Sequence, residues 1–244
     1  MSRNSSIALL TFDLDNTLWS VRQVIGNAER HMRALLETEV PGFNAQFRRE
    51  DLLRTRELLL PEYPEIRHDL TQMRQRVLTY ALRAYGLSDH DAQQTALAAT
   101  EAFLHGRHEV EFFPDALNTL RTLSRYYTIA ALSNGNADVE RLGLGEVFAF
   151  SCSAAEIGAS KPQPDMFEAA LAKAGVRPEA AAHIGDHPVD DIQGASQVGM
   201  HTILVELDGV EPHPGAVGQA TSPSAVVSTL AELPDVIRTL TTGD

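Results

Sequence analysis

Short apolar runs that stop abruptly at a polar residue recur along this chain. Ile7-Ala8-Leu9-Leu10-Thr11-Phe12 runs into Asp13, Thr128-Ile129-Ala130-Ala131-Leu132 into Ser133, and Ala181-Ala182-His183-Ile184-Gly185 into Asp186. Each run is too short for a helix and too uniformly apolar for a strand with one wet face, so each predicts a strand buried on both sides of a parallel sheet. Further strands are predicted at Val147 to Ser151 and Thr202 to Val205. Between them, helical spacing covers Pro114 to Arg125, Asp165 to Ala174 and Ile192 to Val198.

The stretch from Trp19 to Phe112 is patterned differently. Val21, Ile25, Ala28, Met32, Leu35 and Leu36 recur at helical spacing until Pro41-Gly42, and further helices are predicted near Arg48 to Leu60, Leu70 to Tyr85 (stopped by Gly86) and His90 to His105. With no strand of its own, this stretch predicts a helical bundle inserted after the first strand as a cap, residues 19–112. Residues 1–18 and 113–244 then form an α/β core of Rossmann-like class, a mostly parallel sheet with helices on both faces. The Gly-, Pro- and Ser-rich segment from Gly209 to Pro223 predicts a surface loop, with the last helices at the sheet edge.

Charge sharpens this division. The net charge is -13, but residues 19–112 carry 12 Lys/Arg against 14 Asp/Glu, and the remainder 8 against 19. The acidity therefore sits with the strands that end in Asp, and such a field repels a nucleic-acid backbone, so no nucleic-acid partner is expected. Cys152 is the sole cysteine, which excludes an internal disulfide and fits a reducing compartment. The polar start Met1-Ser2-Arg3-Asn4-Ser5-Ser6 and the shortness of the apolar run behind it predict neither a signal segment nor a membrane span, and hence a cytoplasmic protein without a membrane partner.

The strand ends carry the chemistry. Asp13-Leu14-Asp15-Asn16-Thr17 places two carboxylates where ligands bind in open parallel sheets, just past the strand. Ser133-Asn134-Gly135 follows the second strand, Ser160-Lys161-Pro162 opens a helix, and Asp186 is followed by Asp190 and Asp191 at the start of another. Lys161 is one of only two lysines. Taken singly, each has an ordinary explanation as a turn, a helix cap or first-turn carboxylates. Together and in this order, they resemble the four motifs of the haloacid dehalogenase (HAD) superfamily, a likeness running from about Ile7 to about Gly209.

The resemblance implies a phosphatase acting on a small-molecule phosphate monoester. In that family Asp13 would be the nucleophile that becomes an aspartyl-phosphate, and Asp15 the acid for the leaving group and then the base for water. Asp13, Asp186 and Asp15 (through its backbone carbonyl) would hold Mg²⁺, with Asp191, or less readily Asp190, behind the metal site. Lys161, Ser133, Asn134 and Thr17 would bind the phosphoryl group or orient Asp13. Haloalkanoate dehalogenases of the superfamily lack the second carboxylate, so Asp15 argues against that class. A phosphomutase, or a non-catalytic protein on the same fold, is a lesser alternative.

The insert adds a finer likeness. Pro64-Glu65-Ile66-Arg67-His68-Asp69-Leu70-Thr71, with Arg74 beyond, is similar to a segment of the YigB-type phosphatases, which act on FMN and on the riboflavin precursor 5-amino-6-(5-phospho-D-ribitylamino)uracil. Gln72-Met73 departs from that group's pattern, and sugar phosphates or phosphoglycolate remain alternative esters. His68 and Arg74 are the residues expected to touch the rest of the substrate. His105 and His108, three apart, lack a third ligand in the sequence and read as a solvated face, Trp19 and Tyr85 read as packing within the cap, and His187 is unusual after Gly185-Asp186. A monomer or homodimer is expected.

Overall fold

The computed structural model describes residues 6–210 and 221–242. The chain divides into two compact units, Met1–Val21 with Glu111–Asp244, and Arg22–Val110.

The first unit is built on a sheet of six parallel strands: β1 (Leu9–Phe12), β2 (Thr128–Ser133), β3 (Phe150–Ser153), β4 (Ala181–Gly185), β5 (His201–Val205) and β6 (Ala225–Val227), in the order β3-β2-β1-β4-β5-β6. The first strand thus lies in the middle, with Leu9 beside Thr128 on one side and Ala181 on the other. Every residue of β1 and β4 is buried, which is what their unbroken apolar runs require. From β1 the chain winds outward in one direction through β2 and β3 and in the other through β4 to β6. The connections leaving the neighbours of β1 therefore part, and a crevice opens at the carboxyl ends of the central strands.

The second unit is helical. It holds α1 (Val21–Glu39, whose first residue belongs to the sheet unit), α2 (Phe43–Gln46), α3 (Arg49–Leu59), α4 (Leu70–Tyr85) and α5 (Asp89–Arg107). Its starts and stops are local. The Asp69 carboxylate accepts from the Thr71 and Gln72 amides to open α4, Gly86 at φ 118° closes it, and the Ser88 hydroxyl accepts from the Asp91 amide to open α5. Met32, Leu36, Phe43, Leu82 and Phe103 meet in a core threaded by Ala28, Ala92, Ala96 and Ala99, whose small side chains let the helices approach.

The sheet unit is completed by α6 (Ala116–Leu123), α7 (Ala154–Ile157), α8 (Pro164–Ala174), a π-helical turn at Pro188–Gln193 leading into α9 (Gly194–Gln197), and α10 (Leu233–Thr242). α8 packs Met166, Phe167 and Ala170 onto Leu9, Leu132 and Ala181. Among the described residues, no helix is long and apolar enough to cross a membrane.

Several sequence expectations need correction or extension. The division falls at Val21/Arg22 and Val110/Glu111, rather than after residues 18 and 112. Trp19 is therefore not packed in the helical insert: it is fully buried in the sheet unit, bridged to Phe112 with the rings edge-on at 5.6 Å. Strand β6 was not expected, and of the loop foreseen from Gly209 to Pro223, residues 211–220 lie outside the described residues. His105 does find partners: Glu109 accepts from both His105 and His31 of α1 at 3.3 Å, whereas His108 turns its Nδ1 to the Leu104 carbonyl.

α5 can lie this close to α1 because of Gly106. A Cβ there would stand 2.9 Å from Ala28 Cα and 2.9 Å from His31 Cδ2, and the first of these is backbone that cannot step aside. Gly106→Ala should therefore destabilise the helical unit by about 1–3 kcal/mol, outweighing the gain in helix propensity. Urea unfolding followed by circular dichroism checks this: the midpoint of the helical transition should fall, and an unchanged or higher midpoint would contradict the close approach.

Candidate active site

Asp13 follows β1 directly, and its amide donates to the Ile184 carbonyl at 2.9 Å, so the sheet ladder continues into the loop and fixes where the carboxylate starts. The loop then folds back on itself. Asn16 takes the left-handed conformation (φ 61°), which an asparagine tolerates, donates its amide to the Trp19 carbonyl and accepts the Val21 amide on its side chain. This turn brings the Thr17 hydroxyl to the Asp13 carboxylate (3.3 Å) and to Asp186 (3.4 Å). It also sets the Trp19 indole N–H 2.8 Å from Asp15 Oδ1.

Lys161 lies at the centre of the group. Its ammonium is buried and donates to Asp13 Oδ1 at 2.7 Å, to Asp191 Oδ1 at 2.6 Å and to the Leu132 carbonyl at 2.9 Å. Asn134 holds the lysine from behind through a two-way clasp, in which Asn134 Oδ1 accepts from the Lys161 amide (2.7 Å) and Asn134 Nδ2 donates to the Lys161 carbonyl (3.0 Å). Ser133 Oγ accepts from the Gly135 amide at 2.9 Å, which leaves its proton to donate elsewhere.

Asp191 is fixed from three sides. Oδ1 takes the lysine and His183 Nε2 at 3.0 Å, and Oδ2 takes the His187 amide at 2.9 Å. It lies so tight against β4 that a Cβ on Gly185 would sit 2.3 Å from its Cγ, so glycine is obligatory there. Asp190 points elsewhere, accepting weakly from Asn134 at 3.4 Å. The His187 ring caps the π-helical turn, its Nδ1 accepting from the Val189 and Asp190 amides, so the residue that looked unusual in the sequence opens the segment that carries Asp191.

The electrostatics are those of an anionic site held by one cation. Burial pushes the Asp13 carboxyl well above the usual range, helped by Asp191 and Asp186 and opposed by Lys161. For Asp191 burial acts the same way, but Lys161 and the His183 hydrogen bond outweigh it and hold the group below its ordinary value. Lys161 stays charged despite its burial because two carboxylates flank it. Burial also lowers His183 and keeps it neutral, with Nε2–H given to Asp191 and Nδ1 accepting from the Thr11 hydroxyl at 2.8 Å.

Carboxylate oxygens of Asp13, Asp186 and Asp191 lie within 4.8 Å of one another. The Asp15 carboxylate is not one of this cluster. Asp191 already takes three donors, from Lys161, His183 and the His187 amide, whereas Asp13 takes Lys161 and a longer contact from Thr17, so Asp13 and Asp186 are the better placed ligands. Three carboxylates against one ammonium leave a net negative charge, and an all-oxygen donor set of this kind suits Mg²⁺.

The structure thus gathers Asp13, Thr17, Lys161, Asn134, Asp186 and Asp191 through direct hydrogen bonds, with Ser133 at the end of the adjacent strand. His68 and Arg74 belong to the helical unit: His68 immediately precedes the α4 cap, and Arg74, on the next turn of α4, stacks on Phe103. Two participants are absent from the sequence reading. His183 was counted only as part of an apolar strand, and the Trp19 indole bond to Asp15 had no sequence signal beyond the four-residue spacing.

Comparison with known proteins agrees with this geometry. The family model for haloacid dehalogenase-like hydrolases matches residues 7–199. The 5-amino-6-(5-phospho-D-ribitylamino)uracil phosphatase YigB of Escherichia coli is 36% identical over 199 residues, 82% of this chain and 83% of its own length. Human haloacid dehalogenase-like hydrolase domain-containing protein 3 is 34% identical over 84% of both chains. A crystal structure described as a 2-haloacid dehalogenase from Pseudomonas syringae pv. tomato DC3000 superposes with a TM-score of 0.87 at 41% identity, covering 95% of this chain and 98% of that one. With the four motifs in order and converging at the carboxyl ends of the central strands, the chain belongs to the haloacid dehalogenase-like hydrolase family.

Proposed function

We propose that this hydrolase cleaves a small-molecule phosphate monoester with Mg²⁺ through an aspartyl-phosphate on Asp13. It is a phosphoric monoester hydrolase, and the observation that carries the reading is the second carboxylate, Asp15, held by the Trp19 indole two residues after the nucleophile. An alkoxide leaving group needs a proton and a carbon-bound halide does not, so a positioned acid serves the phosphate reaction specifically.

Asp13 attacks phosphorus, and its carboxylate is aimed by Lys161 on one oxygen and Thr17 on the other. Bound Mg²⁺, held by Asp13, Asp186 and the Asp15 carbonyl, would neutralise phosphoryl charge and let an anion approach an anionic site. Lys161 adds a fixed positive charge, and the Ser133 hydroxyl a donor, to the phosphoryl oxygens. Asp15 gives its proton to the departing oxygen and afterwards takes one from the water that opens the phosphoenzyme. Asp191, with both oxygens engaged, acts by holding Lys161. The likeness to YigB supports a ribityl or flavin phosphate such as FMN or 5-amino-6-(5-phospho-D-ribitylamino)uracil as substrate, with His68 and Arg74 reading the non-reacting end.

A second reading has one observation in its favour, the 2-haloacid dehalogenase description of the 41% identical structure. The two separate cleanly by product. Incubated with Mg²⁺, the parent chain should release phosphate from a panel of esters including FMN and no halide from 2-chloropropionate; the reverse outcome would replace the phosphatase reading. Asp13→Asn should lower phosphate release by about 10⁴-fold or more while the circular dichroism spectrum is kept.

Asp15→Asn should cost about 10²- to 10⁴-fold on alkyl phosphates. A rapid-quench burst of nitrophenol from p-nitrophenyl phosphate, whose leaving group needs no acid, should survive in this variant while turnover slows. Loss of the burst along with the turnover would remove Asp15 from the acid's role.

Asp186→Asn should raise the Mg²⁺ concentration needed for half-maximal activity by about tenfold or more, as losing a carboxylate ligand requires. A magnesium titration matching that of the parent would strike Asp186 from the ligands.

A further inference from the structure

The helical unit contains a cavity of about 240 Å³ between α1, α3 and α4. Its walls are apolar over most of their area, with Ile25, Leu52 and Val77 among them, yet Arg33, Arg49, Arg56 and Arg74 also line it against a single acid, Glu29. Two of these cations are already engaged. Arg49 Nε donates to Glu29 at 2.8 Å, and Arg33 donates to Asn44 and to the Phe47 carbonyl.

Arg56 and Arg74 are different. The Arg74 guanidinium lies 3.4 Å over the Phe103 ring, and its Nε is shut off from solvent with no acceptor among the described residues. Burial draws this group down to about 10, Glu29 opposing and Arg56 adding repulsion, so it remains charged at neutral pH. A buried charged donor left without an acceptor is costly, and a second guanidinium facing the same space adds to the cost. A fold would shed such a pair for methionine or leucine unless something binds there.

We infer that this cavity is a binding site for a small amphipathic anion: a carboxylate, sulfonate or phosphate group received by Arg56 and Arg74, on an apolar body lying against Ile25, Leu52 and Val77. The ring of Phe103 fixes the plane of Arg74, so that its donors are held ready. The anionic group could be the far end of the hydrolysed ester or belong to a separate molecule. The inference rests on the arginines and the cavity and stands whether or not the chain is a phosphatase.

The test uses two fluorophores of nearly equal shape, 8-anilinonaphthalene-1-sulfonate and the uncharged N-phenyl-1-naphthylamine, titrated into the full chain. The sulfonate should saturate at one equivalent and bind about tenfold tighter than the neutral compound, as a charge-assisted hydrogen bond implies. Arg56→Met and Arg74→Met, which keep an apolar stem, should each remove most of that difference and leave neutral-probe binding in place; Arg54→Gln, on the exposed side of α3, should change nothing. Asp13→Asn should bind the sulfonate like the parent, which keeps this result apart from any failure of turnover. Equal affinity for the two probes, or a preference for the sulfonate that survives Arg56→Met, would overturn the site. Should Arg74→Met not fold, Arg56→Met alone decides. Steady-state kinetics then name the source: a fall in kcat/KM confined to esters with a second anionic group identifies the substrate's far end, and equal kinetics on those esters and on phenyl phosphate identify a separate molecule.

Discussion

A single buried ammonium organises the sheet unit's chemistry. Lys161 joins Asp13 at the end of β1 to Asp191 beyond β4 and to the carbonyl that ends Leu132 in β2, so one side chain spans three adjacent strands. Burying these charges is expensive, and only their mutual pairing and the surrounding hydrogen bonds offset it. Removing Lys161 would leave the two flanking carboxylates without their cation in a low-dielectric interior, at a cost of about 3–5 kcal/mol. The site is thus rigid for an electrostatic reason, and that rigidity is what an in-line displacement at phosphorus needs.

The arrangement around Asp191 shows how far the fold goes to hold one charge. His183 is neutral and donates to it, the Thr11 hydroxyl holds the imidazole from its Nδ1 side, Phe167 meets the ring edge-on at 5.2 Å, and Gly185 yields the space that a side chain would take. Their effect is to aim Asp191 at Lys161 and so to aim Lys161 at Asp13, a chain of fixed dipoles that has no need to reorganise when charge develops.

Much of this was legible in the sequence, for physical reasons that also explain the gaps. Central parallel strands must be apolar on both faces, so β1, β2 and β4 announce themselves, and the polar residue ending each run marks the site. Strand β6 escaped because it has three residues at the sheet edge and a half-exposed Val226, a pattern too brief to separate from a loop. His183 escaped because a neutral, fully bonded histidine can occupy a core position that its residue type does not advertise. Trp19 was assigned to the wrong unit because its neighbours in sequence are helical, while its partners, Asp15 and Phe112, are brought to it by the turn at Asn16 and by the returning chain.

The place where the helical stretch leaves and rejoins the sheet unit has a consequence for how such chains diversify. The Phe113 amide donates to the Leu18 carbonyl at 2.8 Å, and Trp19 is bridged to Phe112, so the two ends of the insertion are clasped side by side within the sheet unit itself. With the ends tied there, the entropic cost of a longer or shorter insertion grows only logarithmically, by about 0.6 kcal/mol for each doubling of its length. The insertion behaves as an interchangeable cassette. Its helices can be traded, lengthened or refitted to new ligands while the strand spacing that aligns Asp13 with Lys161 is left undisturbed.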